Sequence, residues 1–383
     1  MDENKAGFST GKIPAENMTE ALVSLEHLIW NTCLIRERIN GKTRIMGIVK
    51  ANGYGHNVHK VARALEASGI CDFGVANIQE ALELKTGGAL KKSATILAFS
   101  SPLPSHIEFF LKEGIDMTLC DSETLHAARE IAAAHNKTLA VQVKVDTGMG
   151  RLGSLPAMAM ELLREIDQSP FLKLTGIYTH FAESATSGGF TRQQLAAFKT
   201  LTAEYEHASG RTVCKHAANS GAILSAEESW LDMVRPGILL YGYHPAKNIS
   251  CRLAVKPVMQ FESKVIFIKP VTAGTTISYN RTWTAPEARF IATIAVGYAD
   301  GYARSLSGRA TVMINGKSYP QVGTVTMDQI MVDLGTQHNV KKGDTAILFG
   351  WDGPSAEDIA DSIGTISYEI LCGVSSRVKR IFL

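Results

Sequence analysis

The chain has 383 residues, of which 45% are hydrophobic and 20% charged, and a formal net charge of +2. That length leaves room for two domains or for one large barrel with an appendage, and a near-neutral balance without blocks of like charge argues against nucleic acid or a membrane surface as the main partner. No apolar run approaches a membrane span and the N-terminus lacks the apolar stretch of a secretory signal, so a cytoplasmic protein is expected.

The first periodic segment, NMTEALVSLEHLIWNTCLIRERI, reads as helical. From about residue 40 to 245, short apolar runs alternate with longer stretches whose apolar residues recur at helical spacing. The expected strands are RIMGIV, DFGVA, ATILAF, DMTLC, LAVQVKV, LTGIYTH, TVCKHA and DMVR. Between them, VHKVARALEAS, SETLHAAREIAAAH and TRQQLAAFKTLTAEYEHAS read as helices, with Ser122 and Thr191 as helix-start residues. Roughly eight strand–helix repeats suit an α/β fold in which residues 1–245 hold the N-terminal helix and a (β/α)8 TIM-like barrel.

Beyond residue 245 the texture changes. VMQFESKVIFIKPV, RFIATIAV, RATVMINGKSYPQV, QIMVDL and DTAILFG follow one another with little helix between them, so residues 246–383 are expected to form a mainly antiparallel β domain. Asn315-Gly316 marks a hairpin turn, and the one helix expected there is SAEDIADSIG, with Ser355 as N-cap and Gly364 at its end. The six cysteines are far apart, which suits reduced, mostly buried thiols; no Cys/His cluster has ligand spacing, so no metal is expected.

In a barrel of this kind chemistry gathers at the C-terminal ends of the strands. The first strand ends on Lys50, in KANGYGHN with Tyr54 and His56. The fifth brings Lys144, then Asp146 and Arg151; the sixth His180; the seventh Asn219 and Ser220; the eighth Arg235. A lysine closing an apolar strand reads either as a snorkelling side chain or as an amine of depressed pKa able to form a Schiff base. After Arg235, Pro236 keeps the backbone extended, and Gly237 and Ile238 offer N–H groups to an anion; Ser220 reads equally as a helix cap or as an anion ligand. Taken alone, His180 reads as a core histidine.

KVDTGMGRLG carries the spacing G-x-G-x-x-G at Gly148, Gly150 and Gly153, as in dinucleotide-binding loops. Its context differs: it follows a late strand, and the next helix starts only after Ser154, near Pro156. The glycines then give backbone room around Arg151 rather than wrapping a pyrophosphate. In the β domain TISYNRTW, VGYADGYAR and TVTMDQ place Tyr279, Tyr298, Met327 and Asp328 at turns, where a tyrosine by itself is ordinary packing.

Together VKANGYGHN, KVDTGMGRLG, THFA, ANS, VRPGI, SYNRTW, GYADGY and TMDQ resemble, in order, the motifs of the alanine racemases, and the resemblance covers essentially the whole chain. It implies a homodimer with shared active sites, an amino-acid substrate, pyridoxal 5′-phosphate as cofactor and D-alanine, a peptidoglycan precursor, as product. It further implies that Lys50 and Tyr279, the latter from the other subunit, are the two catalytic bases. Tyr54, Ser220, Gly237 and Ile238 would hold the phosphate, Arg235 braced by His180 would face the pyridine nitrogen, and Arg151 would contact the cofactor's phenolic oxygen and, with the Met327 backbone, the substrate carboxylate. Lys144 matches a lysine carbamylated in many members, and Tyr298, Asp328 and Ser376 take supporting places. Ser376 departs from the family, which usually reads S-Y-R-V where this chain has Ser375-Ser376-Arg377-Val378. A smaller hydroxyl there implies a looser site, open to serine as well as alanine. A non-catalytic pyridoxal-phosphate protein would need neither a second domain nor Tyr279.

Overall fold

A computed structural model describes residues 18–88, 90, 91, 93–185, 188–249 and 251–383. The chain divides into two compact units. One comprises Val23–Met259, Ser355–Gly373 and Phe382–Leu383; the other takes the described residues up to Leu22 together with Gln260–Pro354 and Val374–Ile381. The late segment Ser355–Gly373 thus packs with the first unit.

All eight expected barrel strands form. They are β2 Arg44–Ile48, β3 Asp72–Val75, β4 Thr95–Ala98, β5 Asp116–Leu119, β6 Leu139–Lys144, β7 Leu172–Tyr178, β8 Cys214–His216 and β9 Met233–Val234. Each lies parallel to its neighbours in the order β8-β7-β6-β5-β4-β3-β2-β9. Backbone bonds from Asp232 to Lys215 and from Arg235 to Ala218 bring β9 onto β8 and close the ring. Every residue of β3 and β5 is buried, as parallel strands covered on both faces require.

The helices of this unit are α1 Leu25–Arg38, the single turn α2 Lys50–Tyr54, α3 Val58–Ala67, α4 Ile78–Thr86, α5 Ile107–Glu113, α6 Ser122–Ala134, α7 Pro156–Asp167, α8 Gly189–Ser209 and α9 Ser220–Ser225. Two helix starts differ from expectation. Asp121, not Ser122, caps α6, its carboxylate accepting the Thr124 N–H; α8 begins two residues before Thr191, on Gly188 without a side-chain cap. At the N-terminus the expected helix is shorter. Glu20–Val23 is a strand, β1, with alternate residues buried, and Ser24 then caps α1; Asn17 lies outside the described residues. SAEDIADSIG forms α10 Ala356–Ser362, where Ser355 and Asp358 make a reciprocal capping box. A second helix follows it, α11 Ser367–Gly373, which the sequence reading missed; both belong to the barrel unit.

The other unit is built from β10 Met259–Val271, β11 Thr276–Ile277, β12 Trp283–Thr284, β13 Arg289–Ile294, β14 Thr311–Ile314, β15 Lys317–Val322, β16 Ile330–Gly335, β17 Thr345–Phe349 and β18 Lys379–Phe382. The larger sheet runs β13-β16-β15-β14-β17-β10-β1-β18, and β10 pairs with β13 as well, so six strands close on themselves. The 13-residue β10 reaches both neighbours because register shifts at Phe261/Glu262 and between Val265 and Phe267 bend it. Asn315 and Gly316, with φ of 48° and 73°, make the expected hairpin turn. Of the six cysteines only Cys120 is buried, so the expected burial of most thiols does not hold. Among the described residues no helix is long and apolar enough to cross a membrane.

Candidate active site

The barrel unit holds a cavity of about 540 Å³ at the C-terminal ends of its strands. The residues singled out at five strand ends meet there: Lys50 and Tyr54, Lys144 and Arg151, His180, Ser220, and Arg235 with Gly237 and Ile238. Its described lining carries four cations (Lys50, Lys144, Arg151 and Arg235) against one carboxylate, Glu183. Such a charge balance selects an anionic ligand.

Lys50 starts a turn of unusual handedness. Ala51, Asn52, Gly53 and Tyr54 all have φ between 51° and 62°, a left-handed run that is strained for the three that are not glycine. Glu80, on α4, holds it: one carboxylate oxygen accepts the Ala51 N–H at 2.8 Å and the other the Ala76 N–H at the end of β3, also at 2.8 Å. Gly55 closes the turn where α11 presses on it, since a Cβ there would lie 2.5 Å from the Leu371 carbonyl oxygen. Lys50 lines the cavity and is exposed to solvent. Desolvation, then the charge of Arg151, lowers its pKa, and Glu80 partly opposes them.

Tyr54 is buried, stacked on Tyr241 at 4.5 Å and tilted against Tyr368 of α11 at 6.0 Å. Its hydroxyl lies against Gly237, where a Cβ would overlap it. The Gly237 N–H donates to Ser220 Oγ at 2.9 Å, and Ser220 opens α9 behind Asn219, whose side chain caps that helix through the Ala222 N–H. A backbone N–H, two hydroxyls and a helix start thus share one corner, with no room for a side chain at position 237.

Arg235 is 4% exposed. Its guanidinium donates to the Thr179 and Ala217 carbonyls at 2.7 and 3.1 Å and to His216 Nδ1 at 2.9 Å. The His180 ring, expected to brace it, stands farther off at 3.5 Å; His216 is the tighter support and was overlooked in the sequence, although it too ends a strand. Burial, and then the charges of Arg235, Arg151 and Lys144, push the His180 pKa down to about 3, so this ring is neutral in the cavity. Burial likewise brings Arg235 to about 10.

Lys144 ends β6, 4% exposed, with its amine 5.8 Å from the Tyr178 ring centroid. Desolvation lowers its pKa to about 8, helped by Arg151 and Arg235 and resisted by Cys120 and Asp146. The glycine loop beyond it wraps a carboxylate of its own. Asp146 accepts N–H bonds from Gly148, Met149 and Gly150 at 2.8–2.9 Å, while Gly148, Gly150 and Gly153 take φ of 131°, 69° and 126°. Pro156 opens α7 only after the loop, so those N–H groups are spent on Asp146 and cradle no phosphate.

Tyr279, Tyr298, Met327, Asp328 and Ser376 belong to the β unit and do not line the cavity. Tyr279 is 69% exposed at the tip of a turn in which Ser278, Asn280 and Arg281 have positive φ. Thr324 fixes that turn by donating to the Tyr279 carbonyl at 2.9 Å while its own carbonyl accepts from Ser278 Oγ at 2.7 Å. The turn, fixed by these two bonds, therefore leaves the Tyr279 phenol largely exposed. Asp328 pairs with Arg377 at 2.7 Å, and Arg377 also reaches the buried Asp300 at 2.9 Å, so the arginine beside the exposed Ser376 ties GYADGY to TMDQ. Gly297 packs so closely on Met327 that a Cβ would overlap its carbonyl.

Comparison with known proteins agrees with this geometry. The family described as "Alanine racemase, N-terminal domain" matches residues 23–245 and "Alanine racemase, C-terminal domain" residues 258–382. An alanine racemase of Chlorobaculum tepidum is 57% identical over 380 residues, covering 99% of this chain and 98% of its own. Among solved structures, the alanine racemase of Clostridium difficile 630 superposes with a TM-score of 0.91 at 34% identity, covering 96% of each chain. That of Bacillus anthracis, solved with bound L-Ala-P, gives 0.87 at 34% identity, covering 97% of this chain and 96% of its own. Matched through both domains and along nearly its whole length, the chain belongs to the alanine racemase family, isomerases that act on amino acids.

Proposed function

We propose that the protein binds pyridoxal 5′-phosphate in the barrel cavity and interconverts L- and D-alanine with two bases. Lys50 moves the proton on one face of the substrate α-carbon, and Tyr279, contributed by a second copy of the chain, moves it on the other. The observation that carries this reading is a lysine of lowered pKa, on a strained and braced turn, in a cavity with four cations and one carboxylate. Racemisation needs an acid and a base on opposite faces, each within hydrogen-bond reach. Tyr279, rigidly held and 69% exposed, suits a group lent to a neighbouring subunit, hence a homodimer.

The residues fit the cofactor. Ser220, Tyr54 and the backbone at Gly237 and Ile238 would hold its phosphate, in a corner where a Cβ at Gly237 has no space. Bound there, pyridoxal phosphate supplies a conjugated ring that spreads the charge left on the α-carbon when its proton departs. Arg235 would face the ring nitrogen as a donor only, keeping a proton off it. Lys50, whose pKa desolvation lowers, would accept the α-proton and return it. Arg151 would bind the substrate carboxylate with the Met327 N–H of the partner copy. Neutral His180 stands beside Arg235 without adding a charge. Lys144 would be carbamylated: its neutral amine adds CO2 and releases one proton, and the carbamate then orients Arg151. Tyr298 and Asp328 would take supporting places, D-alanine would serve as a peptidoglycan precursor, and the site of action would be the cytoplasm.

Ser376, exposed where the family usually has tyrosine, favours a second substrate, serine. Purified protein should show the visible absorption of lysine-bound cofactor and racemise L-alanine; Lys50→Ala should lose both, and a colourless wild type that binds no pyridoxal phosphate would refute the reading. Ser376→Tyr should lower the serine-to-alanine activity ratio, and an unchanged ratio would refute the serine reading.

A further inference from the structure

We propose that Asp116, Gln142 and His216 form a one-way hydrogen-bond chain through the barrel interior that presents His216 Nδ1 to Arg235 as an acceptor, making Gln142 a positioning residue for the guanidinium at the cavity. This deepens the reading above, in which Arg235 faces the cofactor ring.

Arg235 is a buried cation, and its described hydrogen-bond partners are two carbonyls and two imidazoles, with no carboxylate among them. Such a group must be met by acceptors that cannot turn into donors. A guanidinium only donates, so His216 Nδ1 accepts and the proton of the neutral ring sits on Nε2. Nε2 in turn lies 2.8 Å from Gln142 Oε1. The other end of that amide, Nε2, donates at 2.8 Å to Asp116 Oδ2, which also accepts from Thr175 Oγ1 at 2.7 Å. Reversing the amide would set its oxygen against a carboxylate and its NH2 against an N–H. The barrel floor therefore dictates the direction of every link: Arg235 donates to His216, His216 to Gln142, and Gln142 to Asp116.

The four residues come from β5, β6, β8 and the end of β9, so the chain crosses the barrel rather than following one strand. Barrel interiors of this type are filled mainly by branched apolar side chains. Here β7 makes way for the amide instead. A Cβ on Gly176 would stand 2.8 Å from Gln142 Oε1 and 3.0 Å from its Cδ. The His216 ring is held flat on Tyr178, with centroids 4.9 Å apart and planes 7° from parallel. Burial, then Arg235 and Arg44, keep His216 neutral, which the acceptor role requires.

Nitrogen NMR of the histidine rings in cofactor-free protein tests the direction of the chain. In the wild type His216 should carry its proton on Nε2. Arg235→Leu should leave that tautomer in place, because Gln142 still fixes it, and adding Gln142→Leu should release a mixture. A mixture already in Arg235→Leu alone would overturn the proposal, since Arg235 and not the floor would then set the tautomer. In parallel, Gln142→Leu should weaken pyridoxal phosphate binding about tenfold, the equivalent of about 1.4 kcal/mol. Gly176→Ala, which displaces the amide without deleting it, should act in the same direction and replaces Gln142→Leu if that variant fails to fold. Wild-type affinity in the folded variants would overturn the positioning role. Failure of the cofactor reading looks different: the wild type itself would not bind pyridoxal phosphate, while the tautomer result would stand.

Discussion

Glu80→Ala tests whether the geometry of Lys50 is held from outside its own turn. The three non-glycine residues in the left-handed run, Ala51, Asn52 and Tyr54, each carry a strain of about 1–2 kcal/mol. Against this stand two bonds of 2.8 Å from the Glu80 carboxylate. Hydrogen bonds to a charged group contribute about 1.5–3 kcal/mol each, and the link to Ala51 is solvent-exposed, so the lower end applies and the pair contributes about 3 kcal/mol. Removing it takes away support comparable with the strain, and the turn should relax and carry Lys50 off its line. Melting of the cofactor-free protein should fall by about 5 °C, and pyridoxal phosphate affinity by at least about tenfold. Ala51→Gly, which removes the left-handed penalty at one position, should restore part of both in the Glu80→Ala background. Unchanged melting and affinity in Glu80→Ala, or no rescue by Ala51→Gly, would show that Glu80 does not hold the turn.

Other parts of the cavity can be tested as directly. Gly237→Ala puts a methyl group onto the Tyr54 hydroxyl; an overpacking cost of about 2 kcal/mol should weaken pyridoxal phosphate about thirtyfold, read by absorbance titration. With its pKa near 8, Lys144 should be neutral in about a tenth of molecules at pH 7 and half at pH 8. Carbon NMR with labelled bicarbonate should therefore show a carbamate signal growing through that interval and missing from Lys144→Ala. His180 and His216 are both held neutral in the fold. Their folded pKa values lie below those of the unfolded chain, which takes up two more protons below about pH 6.5, so stability should fall by up to about 2.7 kcal/mol per pH unit there. Urea midpoints of cofactor-free protein between pH 7 and 5 check this, and the slope should shrink in His216→Asn.

The barrel was legible because each strand is a short buried run bounded by helical periodicity, and the cavity lining was legible because polar groups interrupt those runs at their ends. Lys50, His180 and Arg235 all stand there. What escaped depends on contacts far apart in sequence or on local geometry that leaves little trace. Nothing in Ala51 or Tyr54 announces a left-handed turn, and Glu80 sits 29 positions from the N–H it holds. Gln142 did leave a signal, as a lone amide inside LAVQVKV, but only its placement between Asp116 and His216 gives that amide a meaning. The segment EALV alternates like a strand, yet it is only four residues long and runs into a long helical pattern that hid it. For α11, seven residues are too few for periodicity to separate helix from strand. That the next helix starts only after the glycine loop was legible from Pro156; that the loop's N–H groups close on Asp146 could be seen only in three dimensions.

In the proposed reaction Lys50 exchanges the α-proton of alanine in the barrel cavity. Formation of D-alanine from L-alanine by wild type and Lys50→Ala at equal protein concentration tests it most directly. The wild type should proceed until both enantiomers are equally abundant, and Lys50→Ala should be slower by about 10²–10⁴-fold, the contribution of a positioned general base. Racemisation at the wild-type rate in Lys50→Ala would rule out Lys50 as the base.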